Sequence, residues 1–480
     1  MGMQQDAGKD VVTCPDDARQ IYTSSFKPVK KYRLGTEWER PLVVTDTGLP
    51  ATYVAENGQP GIVDLLRNMQ RFGWKPQYEQ GNLIALHRTV AGGNPQNPLD
   101  KEWVTLEPGG QVEFSSAAQR TAGKLHGDLH HFEQEIVAVS DELGLTLLGA
   151  GYLPTSAPVA DLVVPKSRYQ QMWPSLNGKP ESIDAGCRTG SVQVSFDYKN
   201  EQDMVEKSRL GLAITPIVTA LFNNSALRQG ELSGVESWRM ERWNQYAPER
   251  LGNLSRVFDQ KFGIDSQLDY MFQLPLYFLV RNGVYVPGDG KTFAQHAASG
   301  EATLSDFADH NTTQPPYFRI KKVLEACAMD SVRTPDMVAD APAFWSGLMY
   351  DDLSRKQAWE LVQDWDKDVR DQLRTDAPVK GLHMSTPGGK TARDVAKDLL
   401  KIAGEGLIRR GEDPALLQPL WDVVQKGSHA ERVVAQFGEL ANGGKVANEK
   451  LVSYYAPDPV PRHHTGYSRP APRQGDELRV

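Results

Sequence analysis

Trp103–Ser116, WVTLEPGGQVEFSS, is the stretch whose reading decides the fold. A strand-like run, Val104–Glu107, meets Pro108-Gly109-Gly110, and a second strand-like run leaves it. The turn is expected to be of type II, with Pro108 at the first central position and Gly109 at the second, where φ must be positive. Beyond it Gln111 and Glu113 alternate with Val112 and Phe114, giving one polar and one apolar face. Glu107 closes the incoming strand. The hairpin thus gathers two carboxylates and an amide on a rigid scaffold. Alone it reads most simply as a solvent-facing turn, so its neighbours decide its role.

Working outward, Tyr32–Glu39 reads as a strand with Glu37 and Glu39 on one face. Ser191–Tyr198 sets Val192, Val194 and Phe196 against Gln193, Ser195 and Asp197. Asn82–Arg88 is a further strand, and Leu145–Leu153 is apolar and β-like. Helical spacing marks Gly61–Phe72, Ala117–Leu143 closed by Gly144, and Glu201–Asn223, which Pro216 should kink. It also predicts helices over Arg319–Ala328, Lys356–Thr375, Thr391–Ala403 and Leu416–Lys426. If the polar strand faces belong to one antiparallel sheet, they line a cup of carboxylates; otherwise they meet water. Carboxylates that share a site cannot all stay ionised without cations. Mg²⁺, a hard ion that prefers oxygen, is the natural counterion and brings nucleotide phosphates with it. GDGKT, Gly288–Thr292, has the wrong glycine spacing for a phosphate loop and reads as a turn.

With 480 residues, 40% hydrophobic and 24% charged, the composition is that of a soluble globular protein. A net charge of −8 argues against an obligate nucleic-acid partner. No run is long and apolar enough to span a bilayer, and the first residues lack a signal-peptide core, so a cytoplasmic protein without a membrane partner is expected. Three cysteines, Cys14, Cys187 and Cys327, argue against a disulfide framework and a structural zinc site.

Several motifs, taken together, resemble the plant-type and proteobacterial glutamate–cysteine ligases. They are LGTEWER (Leu34–Arg40), QGNLIALH (Gln80–His87), TLEPGGQVEFS (Thr105–Ser115), PKSRYQQM (Pro165–Met172), RTGSVQVSFDY (Arg188–Tyr198), TTQPPYFRIKKVLE (Thr312–Glu325) and APAFWSGLMYDD (Ala341–Asp352). The resemblance implies an α+β, glutamine-synthetase-like fold: a curved antiparallel sheet forming a cup, backed by helices. Composition marks a polar leader over residues 1–30 and a poorly ordered Pro/Arg/His-rich tail over 456–480, and between them a catalytic domain over 31–355 with a helical region over 356–455 packed on it is expected. The resemblance also implies ATP-dependent joining of the glutamate γ-carboxylate to an amine, cysteine by default, through an acyl phosphate, by a monomer or homodimer.

By matching position, Glu37, Glu39, Glu107, Glu113 and Glu325 are the expected Mg²⁺ ligands. Glu325, Arg319 and Lys321 are the expected catalytic group. Arg168, Arg239, Gln193 and Ser195 are assigned to substrate, since a guanidinium fork suits a carboxylate. Gln111, Lys322 and Cys327 are assigned to the nucleotide. Two positions depart from the family. Cys327 stands where an arginine is expected to face the γ-phosphate, and Ser195 stands for an asparagine. A phosphate-facing arginine is worth on the order of a thousandfold or more in rate. Its absence implies a slow enzyme, a substitute cation (Arg333 or Lys322), or a changed reaction. The alternatives are a diverged γ-glutamyl ligase with another amine and a catalytically weak nucleotide-binding paralogue.

Overall fold

The computed structural model describes residues 7–458 except 157–163, 176–179, 246–249, 251–253 and 315–316. Eight strands form one antiparallel sheet: β1 Leu34–Arg40, β2 Lys75–Glu79, β3 Asn82–Thr89, β4 Lys101–Leu106, β5 Val112–Ser115, β6 Ser191–Phe196, β7 Phe318–Ile320 and β8 Leu324–Asp330. Their order across the sheet is β7-β8-β6-β1-β5-β4-β3-β2. The fold is the α+β antiparallel sheet backed by helices that the motifs imply.

Alternation sorts each strand between two faces. Trp38, Phe114 and Phe196 point to one side and are buried under the helices Ala122–Leu143 and Pro335–Met349. Phe114 stacks on Phe132 with centroids 4.2 Å apart, and Phe196 on Trp345 at 5.9 Å. Each such ring contributes about 1.5–3 kcal/mol by leaving water. Arg40 shares this face. It makes a bidentate pair with Glu133 of the first helix, at 2.8 and 2.6 Å, and its guanidinium lies 3.6 Å from the Trp38 ring centroid.

The helix begins at Ala122 rather than Ala117. Gln119 is instead bonded to Leu34 at the start of β1, and the Thr121 hydroxyl accepts from the Lys124 N–H as the N-cap. Gly144 closes the helix at φ 66°. The helix Glu201–Phe222 carries Pro216 in its interior.

The turn of the opening stretch is not of type II. The Gly110 N–H donates to the Glu107 carbonyl, but the positive φ, 84°, falls on Gly110 rather than Gly109. That places the left-handed residue last in the loop, next to β5, as in a bulged hairpin. Gly109 is constrained differently: a Cβ there would lie 2.0 Å from the Cys187 carbonyl oxygen.

Arg319–Ala328 is not a helix but the hairpin of β7 and β8. Ile320, Val323, Leu324 and Cys327 fit helical spacing, yet β8 finds β6 as a partner, and ladder pairing outweighs local periodicity. Lys356–Thr375 is two helices, Asp352–Val362 and Lys367–Lys380. The second is capped by Asp366, whose side chain accepts from the Val369 N–H.

The segment expected to be a polar leader is packed in part. Val12, Ala18, Ile21 and Tyr22 are buried in the main core, and the Tyr22 hydroxyl donates to Asn311. That core runs on through Leu399, Leu407 and Val424, so helices after residue 356 share it with the sheet. The helices His429–Asn442 and Asn448–Tyr455 pack with Val43 and Leu148 in a second cluster. The tail from residue 459 lies outside the described residues. Among the described residues no helix is long and apolar enough to cross a membrane.

Candidate active site

The opposite face of the sheet carries the polar residues of β1, β5, β6 and β8, and they are not solvated. Glu39 on β1 stands directly across from Glu113 on β5, and Glu37 across from Gln193 on β6. Glu107 reaches the same place from the start of the turn. Glu39, Glu107 and Glu113 each offer an oxygen within 4.8 Å of the others, and Glu113 is fully buried. Glu37 lies next to this trio along β1 but outside it.

Each carboxylate is aimed. The Ser191 hydroxyl and the Gln193 amide donate to the two oxygens of Glu39, both at 2.7 Å. The Ser115 hydroxyl donates to Glu113 at 2.6 Å, and the Tyr169 hydroxyl to Glu107 at 3.1 Å. Burial, then the charge of Glu107, pushes Glu39 up to about 8. Burial, with repulsion from Glu113 and Glu325, pushes Glu37 up to about 7. Burial and the Glu113 charge raise Glu107 as well. Acids raised in this way are held by a field that a cation would relieve.

A second group adjoins the first. Glu325 on β8 accepts from Arg319 at 2.8 Å and from Lys321 at 2.5 Å. Although burial opposes it, these two cations hold Glu325 well below the usual carboxylate range. The Ser195 hydroxyl and the Cys327 thiol each lie 3.5 Å from Glu325. Gln193 joins the groups: its N–H faces Glu39, and its carbonyl oxygen accepts from Arg319 at 3.4 Å.

The remaining expected residues divide. Arg168 is buried, donates from Nη2 to the Thr312 hydroxyl at 2.9 Å, and packs on the Phe278 ring. Its Nη1 has no hydrogen-bond partner among the described residues, so it suits an incoming carboxylate. Arg239 serves a β-bulge in β8 between Ala326 and Met329. A bulge leaves strand carbonyls without ladder partners, and the Arg239 guanidinium donates to those of Cys327 and Met329, at 2.9 and 3.3 Å. Gln111, assigned to the nucleotide, has its side-chain amide engaged within the chain. Its amide ties the turn to the end of the helix Pro180–Arg188, through Gly109 N–H and the Gly186 and Thr189 carbonyls.

Neither substitute cation stands at Glu325. Lys322 is exposed on the β7–β8 turn, and Arg333 is held by the Tyr454 carbonyl and Asp458. The cations that do stand there are Arg319 and Lys321. Burial pushes the Cys327 thiol far up, so it stays protonated and serves neither as nucleophile nor as cation. Sequence reasoning passed over Lys166 and Tyr169. Lys166 is 1% exposed and donates to the Leu106 carbonyl at 2.6 Å; burial lowers its pKa, against the raising charges of Glu107 and Glu113. Both residues lie in the PKSRY motif, which was the available signal.

The donor set suits a hard dication: three convergent carboxylates, at least two of them buried, with hydroxyl and amide groups fixing their rotamers. The adjoining pair of cations suits phosphate.

Residues 33–467 match the model of glutamate-cysteine ligase family 2 (GCS2). The chain is 34% identical over 433 residues to the chloroplastic glutamate–cysteine ligase B of Oryza sativa subsp. japonica, covering 87% of this chain and 83% of that one. It is likewise 34% identical over 436 residues to the chloroplastic glutamate–cysteine ligase of Arabidopsis thaliana, covering 88% and 79%. Among solved structures, a bifunctional glutathione synthetase from Pasteurella multocida aligns with a TM-score of 0.46 at 12% identity, over 89% of this chain and 52% of that one. A match running nearly the length of the chain, through β1, the Glu107–Glu113 hairpin and β8, makes this protein a member of glutamate-cysteine ligase family 2.

Proposed function

We propose that the chain is an ATP-dependent ligase that joins the γ-carboxylate of glutamate to the amine of cysteine. The observation that carries this reading is the convergence of Glu39, Glu107 and Glu113 beside the Arg319–Glu325–Lys321 group. The names of the relatives, glutamate–cysteine ligases, support the same substrates.

Glu39, Glu107 and Glu113 would hold Mg²⁺, with Glu37 adjoining. When bound, that ion neutralises nucleotide phosphate charge. Arg319 and Lys321 bring two positive charges against one carboxylate, so this end of the site attracts phosphoryl oxygens. Arg168, with Nη1 unpartnered among the described residues, takes a substrate carboxylate. An oxygen of the glutamate γ-carboxylate attacks the γ-phosphorus of ATP and ADP leaves. The amine nitrogen then attacks the acyl carbon, phosphate departs, and the amine loses a proton. Positioning and charge supply the rate, and no protein nucleophile is needed.

The test is phosphate release from ATP, Mg²⁺ and glutamate with a panel of amines. Release should occur with cysteine; a rate equal to the blank without amine would overturn the reading. Release with a different amine would instead support the diverged ligase, to which the neutral Ser195 and Cys327 beside Glu325 lend some weight. Glu113→Gln should abolish Mg²⁺-dependent nucleotide binding in a folded protein, and unchanged affinity would remove the carboxylate site.

A further inference from the structure

On the helix-backed side of the sheet, away from the carboxylate cluster, three metal-ligating side chains meet. His126 and His130 lie four residues apart on Ala122–Leu143, and so share a helix face. Asp336 comes from the first turn of Pro335–Met349, which packs against that helix. His126 Nε2 and His130 Nε2 lie 2.6 and 2.8 Å from the same oxygen of Asp336, and 2.9 Å from each other.

Protons alone do not satisfy this triangle. If both imidazoles carry a proton on Nε2, both can donate to Asp336, but two N–H groups then oppose each other at 2.9 Å. If one Nε2 is unprotonated, it faces the carboxylate oxygen lone pair to lone pair. A cation accepts all three lone pairs at once. We propose that His126, His130 and Asp336 form a binding site for a transition-metal dication of the Zn²⁺ class.

Two imidazoles and a carboxylate are the donor set of three-ligand zinc sites, in which water takes the fourth place. With bonds of about 2.0–2.2 Å, tetrahedral ligands stand roughly 3.3–3.5 Å apart, so the pairs here must open by roughly 0.4–0.9 Å, the His126–Asp336 pair most. The side chains are partly exposed and free to adjust. The face is also open, because a Cβ at Gly123 or Gly127, flanking the histidines on the helix, would meet nothing within 4 Å. The cysteine count bears on thiolate sites only, and here histidines supply the ligands. Once filled, the site clips together two helices whose ligands stand 206 and 210 residues apart in sequence.

Co²⁺ is the probe, added to the full-length protein with Mg²⁺ in excess to fill the carboxylate cluster. Four-coordinate Co²⁺ on nitrogen and oxygen absorbs strongly in the visible, whereas Co²⁺ on six oxygens is pale. One equivalent should give the strong band. His130→Ala and Asp336→Asn should each abolish it and weaken Zn²⁺ binding by more than about a hundredfold, since outer-shell partners alone are worth about 10–100-fold. Zn²⁺ held about 100-fold above its Kd should raise the wild-type Tm by roughly 3 °C and leave the variants unmoved. Far-UV circular dichroism checks that each variant is folded, and His126→Gln replaces any that is not. A wild-type protein without the band, or variants that keep both the band and the Zn²⁺ affinity, would overturn the site.

Discussion

Removing the cation should leave the carboxylate cluster under electrostatic load, and pH reads that load. Glu39 sits at about 8 in the folded chain against an ordinary 4.5, because burial and Glu107 oppose its ionisation. A carboxyl raised by folding binds its proton more tightly in the native state. Its contribution is therefore fully present below about pH 4.5 and is lost as pH rises through about 8. At about 1.4 kcal/mol per pH unit, Glu39 accounts for on the order of 3–5 kcal/mol, with Glu37 moving in the same direction. For a chain of this length that is roughly a 3–5 °C change in Tm. The assay is the Tm of metal-free wild-type protein and of Glu39→Gln at about pH 5 and about pH 8, each with and without saturating Mg²⁺. Carboxylates held low elsewhere tilt the curve the other way, so the wild-type minus variant difference is the readout. That difference should grow with pH in metal-free protein and shrink when Mg²⁺ is added. A difference that is flat with pH, or an Mg²⁺ effect equally large in Glu39→Gln, would refute the reasoning.

Cys327→Arg should lower turnover by about tenfold or more. Cys327 is fully buried against Glu325, whose charge Arg319 and Lys321 already neutralise, so a third cation has neither space nor a partner; a rise in phosphate release would contradict this. Arg319→Met should cost on the order of a hundredfold or more in kcat with a much smaller change in KM for glutamate, as steady-state kinetics would reveal. Glu133→Ala leaves the Arg40 guanidinium buried without its bidentate partner and should cost about 3–5 kcal/mol in urea unfolding; a loss below about 1 kcal/mol would mean the pair adds little.

Much of the site was legible because strands write their faces into sequence with a period of two. Glu37 with Glu39, and Gln193 with Ser195, declared a shared polar face before any partner strand was known. What alternation cannot declare is whether that face is wet. Burial here depends on β8 and on the Arg168–Tyr169 segment, far away in sequence. Arg319–Ala328 misled because Ile320, Val323, Leu324 and Cys327 satisfy a helical period as well as a strand, and only the ladder to β6 separates the two. Gly109 and Gly110 were both read as turn residues, but only the fold shows that one supplies the positive φ and the other the close approach to Cys187. Lys166 was invisible as a site residue because a lysine after proline reads as solvated. The hydrogen bond to Leu106 that holds it inside exists only once the hairpin has formed.

Gln193 has a consequence beyond its hydrogen bonds. It is uncharged yet two-signed, and it lies with its positive end toward Glu39 and its negative end toward Arg319. A glutamate of the same shape would place a further anion against Glu39, and a lysine would set a cation against Arg319. The amide works as an insulator with polarity: it touches both halves without discharging either. The site therefore keeps its carboxylate half at Glu39 and its guanidinium half at Arg319 side by side as two distinct charges.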